Sequence, residues 1–279
     1  MGDQSNLFQR VCADAVSAIA AAACVSPFVA CCDKAVVEAT AGKMTVWASV
    51  GRSVKEMMKS PLRFFNSPAT RYLWVMYGGT YAAANLFTTY NDVQQSSTPL
   101  LKTTSIFIVN VCLSLWKDSA YAKMFSSIPP APIPKPALLS WYCRDFIGMG
   151  VIFVAPPIVA GHMKSATGLD DTICQTVTQF SLPLLVQPIV APFHLYGYVS
   201  YNASNAPVAQ QLKMMRQGMW GAVQMRLTRC VAPYSVGTNI NRELRSYLQR
   251  LSWRTSRMLP VLDSTSAVPI KLHDPRAFI

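Results

Sequence analysis

Charged side chains are scarce: Asp, Glu, Lys and Arg make up 14% of the 279 residues, about half the ~25% of an ordinary soluble domain. A water-exposed surface built from so few charges is not expected. Histidine is scarcer still, with His162, His194 and His273 dispersed. The eight cysteines at 12, 24, 31, 32, 112, 143, 174 and 230 form no CxxC or Cys/His cluster of zinc-ligand spacing. No metal site is expected, and cysteines lying mostly in apolar runs read as reduced packing residues. No Ser/His/Asp set or phosphate-cradling loop can be assembled, so no catalytic residue, cofactor or enzyme activity is expected. Acidic residues are few enough to leave a net charge of +12, yet no basic patch interleaves with an aromatic recognition motif, which argues against nucleic acid. Anionic lipid, or charge placed to set membrane topology, explains the excess more simply.

Targeting signals are missing from the N-terminus as well. Asp3 and Asp14 argue against an acid-poor cleavable leader, and Asn6 stands where myristoylation wants Ser or Thr. Any targeting is expected to be internal.

What the chain has is apolar length: 51% of it is hydrophobic and its mean hydropathy is +0.24. The stretch 72–91 runs twenty residues without a charge between Arg71 and Asp92, which as helix spans ~30 Å, the thickness of a bilayer's hydrocarbon core. Gly78, Gly79, Ala82 and Ala83 give it a smooth face for a helical neighbour. Before it, residues 15–32 read as a membrane helix kinked by Pro27 and closed by Asp33 and Lys34. Residues 33–71 read as a basic loop holding a surface helix along Val46, Val50, Val54 and Met57.

A third helix is expected from 103, ending near Lys117 and Asp118, then an extended connector at the proline-rich 128–136. A fourth covers 146–161, bent by Pro156 and Pro157. The fifth lies near 172–200 with Pro183, Pro188 and Pro192, and a sixth lies between 213 and 240. Basic residues collect in the segments after helices one, three and five, as the positive-inside rule asks of six spans. Residues 1–241 are therefore expected to be a six-helix membrane domain. In 242–279, a basic helix carries Leu244, Tyr247, Leu248 and Leu251 on one face, and an extended tail held by a partner follows it.

Three helix pairs joined by long basic segments suggest a threefold repeat. Pro27-Phe28 is echoed by Pro192-Phe193, and Asp33-Lys34 by Lys117-Asp118. In this the chain resembles the mitochondrial carrier family, whose proline is followed by an acidic residue two on and a basic residue three further. Here those positions read Pro27, Val29, Cys32 and Pro192, His194, Gly197, so the kinks are present without the charges.

The resemblance implies an all-α fold of six transmembrane helices in three hairpin repeats, in the mitochondrial inner membrane. With the gate charges incomplete, the expectation is a transport-inactive accessory subunit of a respiratory assembly, cytochrome c oxidase or a supercomplex. Its partners would be other membrane subunits of that complex and anionic lipid such as cardiolipin. The alternative is a transporter exchanging an anionic metabolite, with Arg71, Arg144 and Arg229 facing its cavity. Pro27 and Pro192 are the kink candidates, and Asp33, Lys34, Lys117 and Asp118 are the candidates for a charge network.

Overall fold

The computed structural model describes the backbone of residues 2–95 and 98–262, with side chains lying within 7–251. Among the described residues there is helix and no strand. The order is α1 Gly2–Thr40, α2 Val46–Lys59, α3 Pro61–Phe65, α4 Pro68–Gln94, α5 Pro99–Phe125, α6 Lys135–Phe153, α7 Ala155–Thr167, α8 Asp171–Asn202, α9 Val208–Val231 and α10 Thr238–Leu262. A π-helical stretch, Ala232–Gly237, joins the last two.

Local chemistry sets these limits. Proline at the first position opens α3, α4 and α5, where its missing N–H costs no helical bond. Ser67 caps α4 through its hydroxyl, and Asp170 caps α8 by accepting from the Thr172 amide at 2.9 Å. The hydrogen bonds from Thr172 hold the exposed Asp170 carboxyl below the usual carboxylate range. Gly168, at φ 69°, ends α7 in the left-handed region that glycine enters without strain.

Among the described residues three helices are long and apolar enough to cross a membrane, Leu7–Thr40, Leu100–Phe125 and Asp171–Asn202. A fourth span is available if α6 and α7, bent by 42° at their break, act as one. The molecule is an all-α membrane protein. The helix α1 is its centre: 61% of its most apolar window is covered by protein, against 22% and 33% for the other two. It packs on α4, α9 and α10, while α4 meets α5, α5 meets α6, α6 meets α8, and α8 meets α9, so that the long rods close on each other.

Several expected boundaries move. The uncharged run 72–91 forms the helix α4, but α4 is not among the apolar candidates for spanning. Lack of charge is not hydrophobicity: the run is rich in Tyr, Trp, Gly, Thr and Asn, and it buries Asn85 and Thr89 against protein. Its small residues act as expected, with Gly78 against Ala22 of α1 and Gly79 against Leu113 of α5. Asp33 and Lys34 lie inside α1, Lys117 and Asp118 inside α5, and Arg226 and Arg229 inside α9, so none of them belongs to a loop. The prolines Pro27, Pro183, Pro188 and Pro192 all sit within unbroken helices.

The surface helix α2 is present, its inward face formed by Val46, Ser49, Val50, Ser53 and Met57, with Val54 exposed. Residues 128–134 are extended and lean on the core, the Ala131 amide donating to the Tyr201 hydroxyl at 3.0 Å. On α10, Leu244 and Leu248 turn inward but Tyr247 and Leu251 stay exposed. The expected C-terminal tail beyond 262 lies outside the described residues.

Candidate functional site

The charges that the sequence scattered along the chain meet inside the bundle. Lys117 of α5 is the pivot, its Nζ lying 2.8 Å from Asp33 Oδ2 and 2.5 Å from Asp118 Oδ1. Asp33 is held on its other oxygen by Arg229 Nη1 of α9 at 2.5 Å. Asp118 accepts from Arg144 Nη1 of α6 at 2.5 Å and from the Tyr198 hydroxyl of α8 at 2.7 Å. Arg144 also forks onto Asp145, with Nε at 2.8 Å and Nη2 at 2.7 Å, and reaches Ser114 Oγ at 2.7 Å.

The same Arg144 Nη1 lies 2.7 Å from His194 Nδ1. A guanidinium can only donate, so Nδ1 accepts and His194 is the neutral imidazole with its proton on Nε2.

Read in space, the order is Arg229, Asp33, Lys117, Asp118, Arg144, Asp145, with signs alternating and three charges of each kind. Lys117 is 1% exposed and Asp118 fully buried. Ions so deeply placed are tolerated only when each has a partner, which the alternation provides. It draws on α9, α1, α5 and α6, with α8 adding the hydroxyl of Tyr198 and the ring of His194.

Of the sequence candidates, Asp33, Lys117, Asp118, Arg144 and Arg229 are thus brought together. Lys34 is not one of them: it points to Glu56 of α2 at 3.4 Å, beside a cleft lined also by Phe64, Ser67, Met124 and Phe125. Arg71 is exposed at the start of α4 and stays apart. Pro27 and Pro192 belong to the helices that carry Asp33 and His194, six and two residues ahead of them.

The sequence reading took Asp33-Lys34 and Lys117-Asp118 as neighbouring pairs, whereas Asp33 is satisfied across helices. Tyr198 adds a hydrogen bond to Asp118 from α8. Tyr198, Ser114 and Asp145 are not among the sequence candidates and His194 is named there only as a dispersed histidine and for its place after Pro192, although the four-residue spacings of His194 with Tyr198 and Ser114 with Asp118 put each couple on one helical face.

A second polar layer lies near the other end of α1. Asp14, fully buried, accepts from Arg245 Nε of α10 at 2.6 Å and from Thr89 Oγ1 of α4 at 2.5 Å. Asn85 and Asn241 exchange hydrogen bonds at 2.9 Å each way, and Asn85 also donates to Ser17 Oγ at 3.1 Å. Asp14 and Asp33 are nineteen residues apart on α1, or ~28 Å of helix, close to the ~30 Å hydrocarbon core. Between them α1 turns Ala18, Ala21, Ala22, Val25, Val29 and Ala30 into the core, so two polar layers bracket an apolar one.

Among the described residues no three or more His, Cys, Asp or Glu side chains group as a metal site. A family model described as "Probable citrulline exporter" matches residues 17–249, a range that holds both polar layers except for Asp14. No curated protein and no solved structure matches the chain. The match overturns the assignment to the mitochondrial carrier family, which rested on proline positions and a suspected repeat. It overturns the respiratory accessory subunit too, because that reading took the network for incomplete. The mitochondrial inner membrane was inferred from the same resemblance and has no support apart from it. With most of its length matched, this chain belongs to the family of probable citrulline exporters.

Proposed function

We propose that the chain carries citrulline, or an amino acid of the same zwitterionic polar class, across a membrane. The observation that carries this reading is the buried charge chain on apolar helices. Charged groups at such depth in a membrane bundle face its interior and mark the path of a polar solute. The family to which the chain belongs agrees with it. A carboxylate and an ammonium on one small molecule can exchange with the ion pairs Arg229–Asp33 and Arg144–Asp118 without leaving a net charge behind, which suits a zwitterion. In this reading α4 and α9 complete a ring of six rods with α1, α5, α8 and the bent pair α6 and α7.

The Asp33 and Asp14 layers then lie towards opposite faces of the membrane, and substrate passes as one layer opens while the other stays closed. The test is efflux of labelled L-citrulline from proteoliposomes preloaded with it. Saturable efflux above that of protein-free vesicles is expected. Efflux no faster than from those vesicles would overturn the reading.

A further inference from the structure

Arg226 is the exception to the pairing rule that holds for every other base in the buried layer around Asp33. It is 6% exposed, and among the described residues its Nη1 has no hydrogen-bond partner and no carboxylate forms an ion pair with it. Its Nε donates to Gln187 Oε1 of α8 at 3.1 Å, and Gln187 is itself held by its Nε2 donating to the Pro183 carbonyl at 2.6 Å. Gln187 thus fixes the guanidinium through Nε and leaves Nη1 bare. Arg229 and Arg144 both repel it, while Asp33 acts the other way.

An unpaired guanidinium out of water is strongly unfavourable, and with the neighbouring chain balanced at three charges of each sign, the charge of Arg226 is left over and calls for an anion. The helix α8, which carries Gln187, has free acceptors as well. Pro188 and Pro192 have no N–H to give, so the carbonyls of Leu184 and Pro188 lack the donor that a regular helix supplies four residues on. A proline-bearing helix that has free backbone acceptors and also holds the guanidinium's partner is a setting for a ligand that brings both a carboxylate and N–H donors. Arg226 is one turn from Arg229 on α9, and Gln187 is two turns from His194 on α8, which puts this place beside the charge chain.

We infer that Arg226 Nη1, oriented by Gln187, is the docking point for the α-carboxylate of the transported amino acid. The inference rests on the transporter reading for the identity of the amino acid, but not for the carboxylate itself.

The experiment is thermal unfolding of the full-length purified protein with L-citrulline, with citrulline amide in which the carboxylate is gone, and with acetate as a minimal carboxylate. Wild type is expected to be stabilised by citrulline and acetate and not by the amide. R226Q should lose the response to both carboxylates, a drop in apparent affinity of roughly 10- to 100-fold for a lost charged hydrogen bond. R226K should keep part of it. Without ligand, R226Q should unfold at or above the wild-type temperature because a desolvated unpaired charge has been removed. That separates a lost site from a lost fold. Equal responses of wild type and R226Q, a wild-type response to the amide matching that to citrulline, or no wild-type response to any carboxylate would each overturn the inference. Failure of citrulline efflux with the acetate response intact would instead overturn the choice of substrate and leave the carboxylate site standing.

Discussion

Asp118 serves three donors at once, Lys117, Arg144 and Tyr198, from complete burial. Asp118→Asn removes the charge but keeps the shape, leaving Arg144 with Asp145 alone and Lys117 with Asp33 alone. Breaking a buried pair from one side costs about 3–5 kcal/mol, and urea or thermal unfolding should show a loss of that order. Removing Arg144 as well, in Asp118→Asn with Arg144→Gln, should recover part of the loss, because the charge then left without a partner is Asp145, which is less deeply buried than Arg144. Lys34→Ala is the contrast. Its partner Glu56 is half exposed at 3.4 Å, and such surface pairs contribute about 0–1 kcal/mol, so the same measurement should barely move.

These residues were legible in part. Sequence singled out Asp33, Lys117, Asp118, Arg144 and Arg229 because a charge next to an apolar run stands out. It could not say that they meet, since Arg229 and Asp33 lie 196 positions apart. Uncharged partners such as Tyr198, Ser114 and Asn85 gave no signal, because a polar residue within a helix is unremarkable until its neighbours are known.

At the scale of the element, packing turns on a few small residues. Gly197 of α8 lies against the indole of Trp141 on α6, where a Cβ would collide with the ring. Trp141 is fully buried, donates from Nε1 to the His194 carbonyl at 3.3 Å and packs on Tyr198, so it has no room to retreat. Gly197→Ala should cost about 1–3 kcal/mol through overpacking, read as a lower unfolding temperature, and a wild-type temperature would show that the α6–α8 seam is looser than described. Gly237 plays the same part where the π-helical stretch passes Tyr81, whose hydroxyl donates to the Pro233 carbonyl at 3.0 Å.

Helix positions were largely readable from apolar runs and proline. Their true lengths were not, because charges placed at helix ends by the usual expectation of wet termini are in fact paired within the bundle. The run 72–91 shows the converse: it has no charge, yet its polarity is spent on Asp14, Ser17 and Asn241.

At the scale of the molecule, the spans themselves can be tested through cysteines. Cys24 and Cys112 are exposed from the protein, near the middles of the candidate spans Leu7–Thr40 and Leu100–Phe125. In intact vesicles a charged maleimide should label neither, and after the protein is unfolded in detergent it should label both, as expected of thiols that face lipid. Labelling by the charged reagent in intact vesicles would place these helices in water.

The central claim is that the buried charge chain lies on the path of a zwitterionic amino acid. Its most direct test is the initial rate of L-citrulline efflux from preloaded proteoliposomes. Wild type is compared with the Asp118→Asn, Arg144→Gln double variant at equal amounts of folded, incorporated protein. Saturable efflux by wild type and a fall to the protein-free rate in the double variant is the predicted result. A double variant that exports citrulline at the wild-type rate would contradict the account.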